Sequence, residues 1–225
     1  MAVAAVIFDL YGTLLAIDAM RTHVAAASVR HPAEFVADWR RKQLEYAFLT
    51  SMGNAYRDFD ELTADALAFT CEQREVELDS AVMRALADAW RTMPAYGDVA
   101  LILQALAAQN VPLAVLTNGT PSSANTALEH AGVRGLLTDV LSVDSVRAYK
   151  PDPRVYALVT ARFACTPREV VFVSSNAWDA WGAAAFGFRV AWCNRAGSTT
   201  EILRPLPETT LAGLHELPAF VARAQ

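Results

Sequence analysis

Asp9 is the earliest residue in the chain with the makings of active-site chemistry. It closes the apolar run Val3-Ala4-Ala5-Val6-Ile7-Phe8 and opens the segment Asp9-Leu10-Tyr11-Gly12-Thr13. A carboxylate becomes a useful nucleophile when it is ionised, oriented and partly desolvated. Alone, it reads equally well as a turn residue at a strand end. Further along come Thr117-Asn118-Gly119, then Lys150-Pro151, then Ser174-Ser175-Asn176-Ala177-Trp178-Asp179. These segments supply hydroxyls, amides, an ammonium and a second carboxylate. Each also has a plainer role open to it. Lys150 reads as a surface lysine, Asp179 as a partner of a helix dipole, and Ser174 and Asn176 as caps of the following helix.

Hydropathy patterning indicates the elements that must position these groups. Residues 3–8, 111–116, 170–173 and 189–193 are short apolar runs. Such runs predict strands buried on both faces, as in a parallel sheet. Pro112 sits near a strand start, where a missing N–H is tolerated. Helical patterns cover about 98–109, 121–131, 152–164 and 177–186. Asp98 and Pro121 are start signals and Gly132 a stop signal. Strand–helix alternation from 98 onward predicts βαβ units. Ligands of such sheets bind beyond the carboxyl ends of the strands, where the polar segments gather.

Residues 17–93 break this rhythm, with helical patterns at 33–50, 60–75 and 79–91 and no convincing strand. The predicted fold is therefore α/β: a Rossmann-like parallel sheet core (1–16 and 94–225) with an inserted α-helical cap subdomain (17–93). Pro94 and Gly97 mark the return to the core. Residues 205–210 read as a loop and 215–224 as a closing helix.

The chain has 225 residues, 54% of them hydrophobic, and a formal charge of −5. That length accommodates one α/β domain with an insertion. The mild acidity gives no reason to expect nucleic acid or an anionic membrane as partner. Cys71, Cys165 and Cys193 are widely spaced, which suggests neither a zinc site nor a disulfide framework. The first apolar run ends too early, and lacks the basic leader, for a signal peptide or membrane span. A cytoplasmic protein is expected. The four histidines match no motif.

In their order and content, the four polar segments resemble the haloacid dehalogenase superfamily over essentially the whole chain. Asp9-Leu10-Tyr11-Gly12-Thr13-Leu14, Trp39-Arg40-Arg41-Lys42-Gln43-Leu44-Glu45-Tyr46, Tyr149-Lys150-Pro151-Asp152 and Ser174-Ser175-Asn176-Ala177-Trp178-Asp179 are similar to the L-2-haloacid dehalogenases in particular. The resemblance implies a hydrolase of short 2-haloacids with Asp9 as nucleophile. Lys150 and Thr13 would keep Asp9 charged and oriented. Arg40 and Asn118 would cradle the halide. Thr117, Lys150, Asn176 and backbone N–H groups would hold the substrate carboxylate. Asp179 would activate water through Ser174 or Asn176. Tyr11, Leu44, Phe59 and Trp178 would wall the substrate carbon, and Tyr156 would join the polar network. No cofactor or metal is expected. The resemblance also implies a homodimer and selectivity for the L-enantiomer.

Two chemical points favour this branch of the superfamily over a magnesium-dependent phosphatase, the alternative enzyme class. A phosphatase carries a second aspartate two residues after the nucleophile, to protonate an alkoxide; Tyr11 stands there, and a halide needs no proton. The acidic residues that would hold magnesium are largely replaced by Ser174-Ser175-Asn176. A non-catalytic member of the fold is a third alternative, opposed by the retention of Asp9, Lys150 and Asp179. The chain departs from the family pattern at Thr117, where serine is usual, and at Arg41, where a neutral polar residue is common. Arg41 either reaches the cleft or points to solvent. An arginine on an amphipathic helix ordinarily faces water, which is the plainer reading of Arg40 also, and aromatic residues ordinarily serve the core.

Overall fold

The computed structural model describes residues 2–224, so residues 1 and 225, assigned to the core from sequence, lie outside the described residues. The strands are β1 (Ala5–Phe8), β2 (Leu113–Thr117), β3 (Asp139–Ser142), β4 (Val170–Ser174), β5 (Arg189–Cys193) and β6 (Thr209–Leu211). They form one sheet in the order β3-β2-β1-β4-β5-β6, and every pairing is parallel. This is the strand order of Rossmann folds, whose direction reverses between the first and fourth strands; ligands bind at that reversal. β1 is central and entirely buried. Its alternate residues feed two apolar cores. Val6 and Phe8 pack with Val115, Val171, Leu103 and Phe220 on one face. Ala5 and Ile7 pack with Leu116, Phe172, Val159 and Ala183 on the other.

The helices among the described residues are α1 (Met20–Ala26), α2 (Pro32–Met52), α3 (Phe59–Gln73), α4 (Ser80–Asp88), α5 (Val99–Ala107), α6 (Pro121–His130), α7 (Pro153–Phe163), α8 (Ala177–Phe186) and α9 (Leu217–Ala224). The first five lie between β1 and β2, the first four of them within residues 17–93. The chain leaves and re-enters the sheet region side by side: Ala16 N–H donates to Pro94 C=O at 2.9 Å and Tyr96 N–H to Leu14 C=O at 3.0 Å. No helix is long and apolar enough to cross a membrane among the described residues.

The four expected strands and the main helices are present, and the structure adds three elements. β3 and β6 are edge strands of 4 and 3 residues with much of their length only partly buried. They lack the continuous apolar run by which the central strands were recognised. β6 starts inside the stretch that reads as a loop. Helix α1 precedes the first helical pattern. Asp98 precedes α5 without capping it; its carboxylate instead pairs with Arg195 at 2.8 and 2.9 Å and accepts Leu214 N–H. Thr120 caps α6 by accepting Ser123 N–H, with Pro121 behind it. Gly132 follows that helix at φ +70°, and Val133 N–H reaches back to Leu128 C=O at 3.1 Å, a Schellman-type stop.

Gly182 sets how closely α8 approaches α7. A Cβ there would lie 2.5 Å from Pro151 Cβ and 2.5 Å from the Tyr156 hydroxyl. Gly182→Ala should therefore destabilise the protein by about 1–3 kcal/mol through overpacking. Urea unfolding should show a lower midpoint at unchanged slope; an unshifted midpoint would refute the close approach.

Candidate active site

Asp9 stands one residue beyond β1, beside the reversal in strand order, with Ser174 closing β4 next to it. Its backbone N–H still belongs to the sheet, donating to Val173 C=O at 2.9 Å. The chain then turns at Gly12, whose φ of +91° a side chain would strain. That turn brings Thr13 back over the carboxylate. Ser175 N–H donates to Thr13 Oγ1 at 2.8 Å, so the hydroxyl hydrogen is free to go to Asp9 Oδ2, 2.9 Å away. Asn176 Nδ2 donates to the same oxygen at 2.8 Å and to Tyr11 C=O at 3.3 Å. Lys150 Nζ donates to Oδ1 at 3.1 Å.

Asn176 occupies the cap position of α8 but makes no side-chain capping bond. The amide is directed to Asp9 instead, which removes the plainer reading. Ser174 makes that possible, because its Oγ accepts Asn176 N–H at 3.1 Å and fixes the turn.

Lys150 is fully buried, and its ammonium also donates to Asp179 Oδ2 at 2.9 Å. The other Asp179 oxygen accepts the Tyr156 hydroxyl at 2.8 Å. Asp179 therefore bonds to Lys150 and Tyr156, and its carboxylate makes no hydrogen bond to the Ser174 or Asn176 side chain. Burial disfavours the charged lysine, but two carboxylates outweigh it and hold the ammonium above its ordinary range. Burial pushes Asp179 upward, as does the charge of Asp9, against the pull of Lys150. Burial likewise raises Tyr156 well above its ordinary value, with Asp179 adding to it. Among the described residues, no group of three or more His, Cys, Asp or Glu side chains could hold a metal ion. What the two carboxylates share is an ammonium.

Asn118 joins this network through its Oδ1, which accepts Lys150 backbone N–H at 3.2 Å and leaves the amide NH2 facing outward from that bond. Thr117 is buried and its hydroxyl accepts Gly119 N–H at 3.0 Å, shaping the loop after β2.

Arg40 comes from α2. Its guanidinium lies 5.9 Å from the Phe59 ring centre and 5.7 Å from that of Trp90, and Nη1 donates to Gln43 Oε1 at 2.6 Å. It forms no ion pair among the described residues. Burial draws it down to about 10, opposed by Asp9 and Tyr11, so it remains a cation at neutral pH. Arg41, one residue on, is exposed and pairs with Asp38 at 2.6 Å; of its two expected directions, it takes the solvent one.

Tyr11 is buried edge-on against Trp90. Burial raises its phenol, with Asp60 adding to the effect. Tyr11 and Phe59 line a cavity of about 140 Å³ with Gln43, Thr63 and Trp90. Trp178 lies apart from it. It packs on Phe48 in an open apolar groove that also touches Lys150. Leu44 is half-buried on α2 and lines neither space.

Several residues of the site were not singled out from sequence. Gln43 and Trp90 hold Arg40. Asp60 accepts the hydroxyls of Thr120 at 3.0 Å and Ser123 at 2.7 Å, and meets Arg91 at 3.1 Å, tying α3 to the start of α6. Gln43 had a usable signal, its i,i+3 spacing from Arg40 on a helix. Asp60 had none, because its partners are 31 to 63 residues away.

A carboxylate at a Rossmann reversal, bonded to a buried lysine that a second carboxylate shares, is an arrangement suited to hydrolysis. Residues 3–187 match the family model described as haloacid dehalogenase-like hydrolase. The chain belongs to that family. Its relatives there include the (S)-2-haloacid dehalogenase of Pseudomonas sp. (strain YL), 40% identical over 92% of this chain and 89% of that protein. The haloacetate dehalogenase H-2 of Moraxella sp. (strain B) is 34% identical over 98% of each. Among solved structures, the L-2-haloacid dehalogenase from Xanthobacter autotrophicus with chloropropionic acid covalently bound superposes with a TM-score of 0.92, at 32% identity over 99% of each chain.

The shared ammonium gives a pH-dependent prediction. A raised lysine pKa contributes stability that is whole below the ordinary value near 10.5 and is lost as pH rises through the higher folded value. Lys150→Met leaves two buried carboxylates without their cation, at a cost of about 3–5 kcal/mol at pH 8. Part of that loss should return near pH 5, where one carboxylate can take a proton. Urea midpoints measured against pH check both statements, and a pH-independent deficit in the variant would contradict them.

Proposed function

We propose that this enzyme hydrolyses short L-2-haloalkanoic acids to 2-hydroxy acids with inversion at C2, through an ester on Asp9. The observation that carries the reading is the pairing of a triply hydrogen-bonded Asp9 carboxylate with an unpaired Arg40 cation across the cleft. A nucleophile for carbon and a cation for the departing halide are what displacement at C–X requires, and Tyr11 in place of an acid suits a leaving group that needs no proton.

In the first step an Asp9 oxygen bonds to C2 and halide leaves with the C–X electron pair. Arg40 and the Asn118 amide take up the developing charge. Thr117, Lys150, Asn176 and N–H groups after Asp9 hold the substrate carboxylate, while Tyr11 and Phe59 exclude water from C2; Leu44 and Trp178, expected beside them, lie outside the cavity that those two line. In the second step water adds to the Asp9 carbonyl carbon. Asp179, made more basic by burial, accepts a proton from that water. The tetrahedral intermediate collapses by breaking the bond between the Asp9 carbonyl carbon and the ester oxygen; that oxygen takes the proton held by Asp179 and leaves as the alcohol, and Asp9 is regenerated as a carboxylate when the second water proton passes to solvent. Ser174 and Tyr156 hold Asn176 and Asp179 in place.

The domain division follows the same logic, with a core of residues 1–16 and 94–225 and a cap of residues 17–93 that brings Arg40. The enzyme is read as a cytoplasmic homodimer. The free thiols of Cys71, Cys165 and Cys193 support the compartment, and the exposed Leu49 and Met52 on α2 support an apolar contact between copies.

Single turnover with excess enzyme in water labelled with heavy oxygen tests the mechanism. Label should enter Asp9 and the first product should carry unlabelled enzyme oxygen; label appearing directly in the hydroxy acid would rule out the ester. Arg40→Ala should slow halide release by about a hundredfold or more while the urea midpoint moves little. Normal halide release by that variant would remove Arg40 from the reaction.

A further inference from the structure

A guanidinium has five N–H donors in a rigid fork on a long flexible stem. In Arg40 the structure directs one of them, Nη1, to a protein acceptor, Gln43 Oε1. Gln43 is one helical turn further along α2 and is 1% exposed. Its polarity is forced. Arginine has no acceptor, so the carbonyl oxygen of Gln43 must face Arg40 and its NH2 must face away. That NH2 donates to Thr63 Oγ1 on α3. The Thr63 hydroxyl has a single hydrogen, and it goes to Phe59 C=O at 2.6 Å. Trp39 Nε1 holds Thr63 C=O at 2.9 Å, clamping the same turn to α2. The chain of bonds thus runs from Arg40 through Gln43 and Thr63 to the backbone of Phe59, whose ring is one of the two that flank the guanidinium. Each bond of the relay has its direction set by the donors and acceptors present, and the relay ends on one N–H of the cation.

We propose that Gln43 and Thr63 are positioning residues that fix the Arg40 guanidinium where the departing halide develops its charge. The inference rests on the reading of Arg40 as a halide donor and extends it to the two residues that hold that donor, Gln43 directly and Thr63 through Gln43. A cation held by a relay is preorganised for a charge that appears only in the transition state. A cation free to swing must be reorganised during the reaction. Chloride is the poorer leaving group, so its departure depends more on preorganised donors than that of bromide.

The test is the pre-steady-state rate of halide release from 2-chloropropionate and 2-bromopropionate. Thr63→Val keeps the shape of the side chain and removes the hydroxyl. It should slow chloride release by roughly tenfold or more, the scale of a small misplacement at a reacting centre, and bromide release by distinctly less. Thr63→Ser should restore most of the lost rate and the chloride-to-bromide ratio. Gln43→Leu cuts the relay from the other end and should reproduce the chloride-selective loss, which keeps the test open if Thr63→Val fails to fold. A relay that only stabilises the fold would lower the urea midpoint and slow both halides alike. Equal slowing, or no slowing, in variants of a wild type that releases both halides would overturn the relay alone. A folded wild type that releases neither halide would overturn the dehalogenase reading and the relay with it.

Discussion

The ammonium of Lys150, buried between Asp9 and Asp179, is the constraint on which the rest of the site depends. Two carboxylates taken from water side by side repel one another, and either alone would be costly to bury. One cation bonded to both makes the pair tolerable and leaves a net charge of −1 on the trio. The remaining lone pairs must then be met by donors. Thr13 and Asn176 meet those of Asp9, and Tyr156 meets those of Asp179. Each donor arrives from a different part of the sheet's edge: the turn after β1, the start of α8, and α7. The parallel register that puts Asp9 level with the end of β4, and the close approach allowed by Gly182, serve this convergence.

The charges are divided between the two parts of the chain. The sheet ends carry Asp9 and the lysine bonded to it. The helices between β1 and α5 carry a further cation, Arg40, which forms no ion pair among the described residues. If Arg40 came from the same strands, it would fall into the carboxylate network and be neutralised. Placed on α2, between two rings and one amide, it is held close enough to feel Asp9 but is not bonded to it. Asp60 ties the insertion to α6, and Tyr149 ties it from the other side by donating to Arg57 C=O at 2.7 Å. A rigid cleft with charge already in place is the physical requirement for stabilising a transition state without reorganisation.

Much of this was legible in the chain because burial leaves a mark. Strands covered on both faces become continuous apolar runs, and β1, β2, β4 and β5 were readable for that reason. β3 and β6 escaped because an edge strand is covered on fewer sides and needs no such run. The same holds for caps. Thr120-Pro121 is a local signal and does what its sequence suggests. Asn176 has the residue type of a cap, yet it makes no capping bond, and its Nδ2 donates to the Asp9 carboxylate, a charged acceptor.

The sequence by itself determined the set of reactive groups, their order along the chain, and the absence of an acid at Tyr11. Those are matters of composition and spacing, and no folding is needed to read them. Only the tertiary structure decided which groups meet. Lys150 and Asp9 are separated by 141 residues, and no local pattern carries information about that pair. Likewise only the fold decided that Asp179 answers to Lys150 and Tyr156, that Arg41 faces water while Arg40 does not, and that Gln43 and Thr63 stand behind Arg40. Polar side chains of the same type differ in role according to which partner lies within about 3 Å, and that distance is set by packing across the whole molecule.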